Sequence, residues 1–201
     1  MNPWNSISLS DYENHMRSDE VKQLQTLSEI MKKQFVSYPA KSVMVLGAAG
    51  GNGFEHIKSG KFSAVYAVDI NPAYLEEIKK RFTLDELTCI CADLTTDDPL
   101  PHADLLIADL LIEYIGYDCF AKVIGKVSPV YVSCVTQTDK GEDFVSDSPY
   151  IHAFDDLGSI HSQIDTKKLA AAMADTGYTL RSSQEYPLPN GKSLIQTDFI
   201  S

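Results

Sequence analysis

Fifteen residues, Val43 to Ile57, constrain this chain more than any others: VMVLGAAGGNGFEHI. A short apolar run breaks into small residues, then Asn, Gly and a segment of helical character. That is the pattern of a strand feeding a glycine loop, which continues into a helix whose first N–H groups face a ligand. Gly47, Ala49, Gly51 and Gly53 recur at every second position, so the backbone is free to pass close beneath that ligand. A glycine-rich turn with no ligand is the plainer alternative. The order is not Gly-x-Gly-x-x-Gly, because the frame starting at Gly51 reaches His56, where close helix packing calls for Gly or Ala.

The residues on either side predict what surrounds the loop. Ser10 and Glu13 have capping-box spacing, which predicts a short helix from Asp11 carrying Tyr12, His15 and Met16. A second helix is predicted from Ser18, with Val21, Leu24, Leu27, Met31 and Phe35 on one apolar stripe. After Pro39, short apolar runs alternate with amphipathic segments. Strands are read in SVMVLG, SAVYAVDI, LTCICADL, ADLLIADLL and PVYVSCV, and helices in GFEHIKSG, in NPAYLEEIKKRF with Asn71 as cap and Pro72 first, and in CFAKVIGKV. Continuous apolar strands separated by helices imply a parallel sheet covered on both faces. The end departs from that rhythm: a helix capped by Asp165 and stopped at Gly177, then YTLRSSQEYPL, the turn PNG and KSLIQTDFI, which predict an antiparallel hairpin. Thr136 to Ile164 shows no periodicity and reads as a long functional loop, with or without a short helix in it.

Bulk properties narrow the function classes. A length of 201 residues with 44% hydrophobic and 22% charged residues suits one globular domain. The net charge of -11 argues against nucleic acid, since phosphate binding depends on clustered Lys and Arg. The N-terminus has no secretory pattern, and no apolar run approaches the roughly 20 residues of a membrane helix. A soluble, cytoplasmic protein is expected. Cys89, Cys91, Cys119 and Cys134 show no Cys-x-x-Cys pairing, so they are expected to be core residues in a reducing compartment, with no metal site.

In a parallel sheet the ligand crevice lies beyond the carboxyl ends of the strands, so residues there carry most weight. Besides the glycine loop, three such positions are acidic. Asp69 ends the second strand, sixteen residues past Gly53, and is placed to accept both hydroxyls of a ribose; alone, an Asp before Asn-Pro reads as a turn former. Asp93 is placed to accept from an exocyclic amine, with Ala92 and Leu94 against the ring, or else to cap the turn DLTTDD. Asp109 is placed to meet an ammonium group or act as a base, with Glu113, Tyr114 and Tyr117 beyond it, or else to cap a helix.

These positions, in this order, resemble the class I S-adenosylmethionine-dependent methyltransferases. Gly47-Ala48-Ala49-Gly50-Gly51-Asn52-Gly53 occupies the frame of the family's first motif, with two departures. Gly47 stands where the family has an acidic residue, and Ala49 replaces the first glycine. Asp69 falls at the ribose position, Asp93 at the adenine position, and ADLLIADLLIEYI in the fourth motif. The closing hairpin also fits, since the family appends an antiparallel strand to a mostly parallel seven-stranded sheet, which nicotinamide-binding folds lack. The resemblance implies a three-layer α/β sandwich forming a single methyltransferase domain over 1–201, with an N-terminal helical lid over 1–38 and a Rossmann-like core over 39–201. S-Adenosylmethionine is the implied cofactor, held by Gly47, Ala48, Ala49, Gly51, Gly53, Asp69, Ile70, Asp93, Leu94 and Asp109. The acceptor is expected to be a small molecule, met by elements before the first strand and after the fourth and fifth. Tyr12, His15, Glu113, Tyr114 and His152 are the substrate candidates, with Trp4, Tyr117, Tyr150 and His161 in the same segments. Asp109 and His152 are the candidates for a catalytic group, and His161 for a proton acceptor. The alternatives are an NAD-dependent oxidoreductase and a nucleoside-binding regulatory protein without catalysis.

Overall fold

In a computed structural model, residues 2–138, 144–146 and 148–201 are described. The strands are β1 (Ser42–Leu46), β2 (Ala64–Asp69), β3 (Leu87–Cys91), β4 (Leu105–Asp109), β5 (Tyr131–Thr138), β6 (Thr179–Pro187) and β7 (Ser193–Ile200). They form one sheet in the order β3-β2-β1-β4-β5-β7-β6. β1 to β5 run parallel, and β7 runs antiparallel to both its neighbours, β5 and β6. The predicted hairpin is therefore present, with its second strand inserted between β5 and the first.

Alternation along the strands sends apolar side chains to both faces. Val43, Val45, Leu105 and Ile107 pack with α2 (Gln23–Ser37) and α3 (Pro72–Arg81) through Met31, Phe35, Leu75 and Ile78. Met44, Leu46, Leu106 and Ala108 pack with α4 (Ile112–Val127) and α5 (Thr166–Asp175) through Ile112, Phe120, Val123, Leu169 and Met173. This accounts for the unbroken apolar runs of β1 and β4, which are covered on both sides. β6 is exposed along nearly its whole length and carries a bulge between Leu180 and Ser182. Such an irregularity blunts an open edge against pairing with another chain.

Local chemistry sets the boundaries. Asn71 caps α3 by accepting from the Ala73 N–H at 3.0 Å, Pro72 takes the first position, and Lys79, Lys80 and Arg81 face the negative end of the dipole. Asp165 caps α5 through the N–H groups of Lys167 and Lys168. The first helix, α1 (Leu9–Arg17), begins two residues before the expected Asp11, because Ser8 and not Ser10 is the cap: its Oγ accepts from the Asp11 N–H at 3.1 Å. The second begins at Gln23, not Ser18, since Lys22 has φ +50 and the residues before it form a turn. The helix expected in GFEHIKSG is a single 3-10 turn, Phe54–His56. α4 is longer than CFAKVIGKV because a first turn, broken from the rest at Gly116 (φ 75, ψ 170), precedes it. In the segment left unassigned by sequence, β5 runs to Thr138 and a 3-10 helix spans Ile151–Ser159, while 139–143 and 147 lie outside the described residues.

Of the glycines after β1, Gly53 is held by packing. It has φ +87, and a Cβ there would lie 2.8 Å from Cβ and Sδ of Met31 on α2. Gly60 has φ +73 with nothing within 4 Å. Gly60→Ala should therefore cost about 1 kcal/mol, the left-handed backbone penalty. Gly53→Ala should cost about 3 kcal/mol or more, because overpacking adds to that strain. Urea denaturation of the two variants checks this; equal losses would mean that Met31 does not confine the loop.

Candidate functional site

At the carboxyl ends of β1 and β4, where the strand order reverses, lies a cleft of about 730 Å³, part of it open to solvent. Its floor is Gly47 and Ala49 from the loop after β1. Val68, Asp69 and Ile70 come from the end of β2, Ala92, Asp93, Leu94 and Thr95 from the end of β3, and Asp109, Leu110 and Leu111 from the end of β4. Asn2, Trp4, Tyr12, Tyr74, Tyr114 and Ile115 close it. The three acidic residues singled out in the sequence are thus brought to one cleft.

Asp69 is buried and bonded to the backbone on both sides. Oδ2 accepts from the Ala49 N–H at 2.9 Å and Oδ1 from the Asn71 N–H at 2.8 Å. Burial pushes its carboxyl up, and these N–H groups oppose that by stabilising the charge. Each oxygen retains a second lone pair for a ligand hydroxyl. Asp93 does part of what each of its two readings requires: Oδ1 closes its own turn, accepting from the Thr95 N–H at 2.9 Å and the Thr95 hydroxyl at 2.6 Å, while the residue lines the cleft beside Ala92 and Leu94.

Asp109 sits where three elements meet. Its Oδ1 accepts from Gln34 Nε2 of α2 at 3.0 Å, and the same nitrogen donates to Ser133 Oγ of β5 at 3.0 Å. Ser133 in turn donates to Asp198 Oδ1 of β7 at 2.5 Å, and Ser182 of β6 donates to Asp198 Oδ2 at 2.7 Å. The Asp109 residue keeps some accessible surface, but Oδ2 itself is sealed and has no hydrogen-bond partner among the described residues. Burial, with Asp198 adding a like charge, pushes its carboxyl up to about 7. Leu110 follows with φ +54, its N–H pinned to the Val135 carbonyl at 2.8 Å.

The first cleft is roofed by the N-terminal segment. Trp4 meets Tyr114 edge to face at 5.0 Å and Tyr12 at 5.8 Å. The segment is fastened to α3 at three points. Asn71 Nδ2 donates to the Trp4 carbonyl at 3.0 Å, Tyr74 donates to the Ile7 carbonyl at 2.9 Å, and Arg81 Nη2 donates to Glu13 at 3.1 Å. Arg81 Nη1 also donates to the Gly50 carbonyl, which ties the roof to the loop beneath it. Within the N-terminal region, α1 rims the cleft and α2 is a structural layer on the sheet.

Behind that aromatic partition lies a second cleft of about 540 Å³, sharing Trp4, Tyr12, Leu110 and Tyr114 with the first. It adds His15, Gln23, Glu113, Gln137, Phe144, Phe154 and His161. His15 is buried, shares a hydrogen bond of 2.8 Å between Nδ1 and Ser148 Oγ, and is pushed down to about 4 by burial and the nearby Lys192 charge, so it is neutral at pH 7. Glu113 is buried, and its Oε1 accepts from the Gln137 N–H at 2.8 Å. His161 stacks on Phe144 with centroids 3.9 Å apart. A third cleft of about 480 Å³ meets the first at Tyr12, Gly47, Ala49 and Asp109, and is lined by Ala48 and Gly50.

Tyr12, His15, Glu113 and Tyr114 thus come together. His152 does not join them: its side chain is 89% exposed, 3.4 Å from Asp155, and lines none of the three clefts. Gly51 and Gly53 line none of them either; a Cβ at Gly51 would lie 2.7 Å from Phe82, so this glycine is explained by packing. Tyr117 works elsewhere, its hydroxyl accepting from the Asp165 N–H at 2.8 Å. Sequence reasoning missed Gln34, Tyr74, Leu111 and Asn2; a Gln on the apolar stripe of α2 was the available signal for the first. Among the described residues no group of three or more His, Cys, Asp or Glu is placed to hold a metal ion, and no helix is long and apolar enough to cross a membrane.

Asp109→Asn tests the electrostatics directly. Its folded carboxyl near 7 lies above the unfolded value near 4. The stability it contributes when uncharged is complete below pH 4 and is lost as pH rises through 7. Asn stays neutral, so the variant should gain on the wild type between pH 4.5 and 8 by on the order of 3 kcal/mol, read by chemical denaturation at both pH values. A difference independent of pH would mean that Asp109 does not titrate in this range.

No family model matches the chain, and no curated protein matches it in sequence. Solved structures do match it. The magnesium protoporphyrin IX methyltransferase of Synechocystis with bound S-adenosylhomocysteine superposes with a TM-score of 0.68 at 9% identity, over 98% of this chain and 95% of that one. The N-methyltransferase NodS of Bradyrhizobium japonicum, in complex with S-adenosylhomocysteine, gives 0.65 at 10% identity over 98% of both chains. The methyltransferase domain of bacterial CtHen1-C gives 0.64 at 18% identity, over 96% of this chain and 98% of that one. With the sheet order and the single antiparallel strand β7, this chain has the fold of the class I S-adenosylmethionine-dependent methyltransferases.

Proposed function

We propose that the protein is an S-adenosylmethionine-dependent methyltransferase acting on a small-molecule acceptor. The observation that carries this is the first cleft itself. The buried Asp69 carboxylate, fixed by the Ala49 and Asn71 N–H groups, ends β2, and Asp93 stands across from it among Ile70, Ala92 and Leu94. These residues fit a nucleoside: a paired acceptor for the ribose hydroxyls, a carboxylate for an exocyclic amine, and apolar walls for a ring. Asp109 adds a third acidic residue to the lining of the same cleft. Relatives of the same fold that are crystallised with S-adenosylmethionine or S-adenosylhomocysteine support the assignment.

When bound, the cofactor supplies a methyl group on a sulfonium, already a strong electrophile. What remains for the protein is to hold a nucleophile in line and exclude water, and proximity and desolvation are the catalytic terms expected to dominate. Trp4, Tyr12 and Tyr114, which separate the first cleft from the second, are the residues best placed to do both. The second cleft is the acceptor site in this reading. Its aromatic walls and few polar groups suit a small molecule. His15, neutral at pH 7, serves there as a hydrogen-bonding group that orients the acceptor, and a base stronger than His15 is required only for a nucleophile that must lose a proton. A reading without catalysis draws on the same cleft and is distinguished by methyl transfer from a labelled donor.

Calorimetry on the purified protein should show binding of S-adenosylmethionine and S-adenosylhomocysteine and none of NAD. Asp69→Ala should weaken both by about 2 kcal/mol or more, since it removes charge-assisted bonds to the ribose hydroxyls. Binding of NAD with neither sulfur ligand would overturn the proposal; unchanged affinity in Asp69→Ala would overturn the placement of the ribose.

A further inference from the structure

We infer that the second cleft takes an uncharged aromatic acceptor whose ring carries a carbonyl and an N–H, as a heteroaromatic lactam does, matched by the Nε2–H of His15 and the side-chain oxygen of Gln23. The inference names the substrate class of the acceptor site, and it rests on the methyltransferase reading in calling that ligand a methyl acceptor.

Two buried polar side chains of this cleft each leave one atom unused, and the bonds behind them fix what that atom offers. His15 of α1 is 4% exposed, Gln23 at the start of α2 is 5% exposed, and both line the cleft. Ser148 Oγ accepts from the Tyr150 N–H at 3.1 Å and lies 2.8 Å from His15 Nδ1. Ser148 is itself buried, and among the described residues Nδ1 is the acceptor that its O–H reaches. A buried hydroxyl hydrogen left unpaired is costly, so Ser148 donates to Nδ1, and the ring proton of the neutral His15 sits on Nε2. That N–H has no protein acceptor among the described residues, and Nε2 is not one of the sealed polar atoms.

Gln23 is oriented by the same kind of reasoning. The Phe144 carbonyl can only accept, and Gln137 Nε2 donates to it at 2.9 Å. Gln137 therefore turns its Oε1 toward Gln23, which answers with Nε2. Gln23 Oε1 is left as an acceptor with no donor among the described residues, and it is not sealed either.

The rest of the lining narrows the ligand. Trp4, Tyr12, Tyr114, Phe144 and Phe154 supply aromatic walls. No Lys or Arg is among the lining residues, whereas the Glu113 carboxyl is, and Lys192 lies outside the lining with its Nζ donating to the Phe144 carbonyl at 2.7 Å. An anionic acceptor would be buried beside Glu113 with no cation in the lining, which is costly. A ring with no polar edge would strip water from the His15 N–H and the Gln23 oxygen and return nothing. A planar lactam has apolar faces for the aromatic walls and carries one acceptor and one donor on its edge.

The test uses 2-quinolinone, a fused aromatic lactam, against quinoline, which lacks the carbonyl and the N–H, and quinoline-2-carboxylate, which is anionic. Calorimetry with S-adenosylhomocysteine present at saturation should show the lactam binding about tenfold or more tighter than either of the others. Gln23→Leu should shrink the advantage over quinoline by about fivefold or more and leave quinoline itself unchanged. Wild-type protein supplies a measurement that needs no variant: long-range proton–nitrogen NMR at pH 7 should find the His15 proton on Nε2, and Ser148→Ala should release it to a mixture of both tautomers. If S-adenosylhomocysteine binds but the lactam is not preferred, or the His15 proton is on Nδ1, this inference is overturned and the methyltransferase reading stands. If S-adenosylhomocysteine does not bind, the methyltransferase reading falls, and the assignment of a methyl acceptor to this cleft falls with it.

Discussion

The carboxylate of Asp69 holds together the parts of this molecule that make a site. It ends β2, receives the N–H of Ala49 from the loop after β1, and receives the N–H of Asn71 where α3 begins. Ala49 has φ +45, a left-handed conformation that a residue with a Cβ adopts only when its surroundings enforce it. The bond from its N–H to the buried Asp69 carboxyl is one such constraint, and the Ala48 N–H bonded to the Val68 carbonyl at 3.1 Å is another. A single charged group therefore shapes the loop, starts a helix through Asn71, and presents its remaining lone pairs to the cleft. In the proposed nucleoside site, the same two oxygens would couple ligand binding to loop conformation.

A second polar element runs across the other half of the sheet. Gln34, Ser133, Asp198, Gln196 and Ser182 form a chain of hydrogen bonds from α2 through β5 and β7 to β6. Buried networks of this kind are favourable only when their members are satisfied. Nearly all of this one is, and the atoms left over are Gln34 Oε1 and Asp109 Oδ2. Asp109 lines the cleft at this end of the network, but its Oδ2 is sealed. The terminal hairpin thus orients a cleft residue from two strands away: β7 brings Asp198 against Ser133, Ser133 orients Gln34, and Gln34 fixes Asp109.

Much of this was legible in the chain. The strand and glycine loop from Val43 to Gly53, the acidic residues ending β2 and β4, the Asn71-Pro72 start of α3 and the closing hairpin are local patterns, and the structure contains each of them, while the helix expected after the loop is only a 3-10 turn. What was not legible has identifiable causes. Gly116 interrupts α4, so its first turn, which carries Glu113 and Tyr114, reads as loop. Ser8 and Ser10 both offer a cap to α1, and only the folded geometry chooses Ser8. Gly51 and Gly53 belong to a ligand-like spacing, yet what lies beneath them is Phe82 and Met31, residues 31 and 22 positions away in helix-flanking and helical segments. His152 has suitable chemistry in a suitable segment, and its outward orientation has no local signature.

By itself the sequence determined the fold class and the acidic ends of the strands, because period and strand-end chemistry are properties of neighbouring residues. It also determined that the loop after β1 departs from its usual frame at Gly47. Tertiary structure decided which groups share a cleft, which of the acidic oxygens are already used, and which one is left without a partner. Those outcomes depend on contacts between residues such as Gln34 and Asp109, 75 positions apart. No local pattern records such a contact, since it exists only once α2 has docked against β4 and β5.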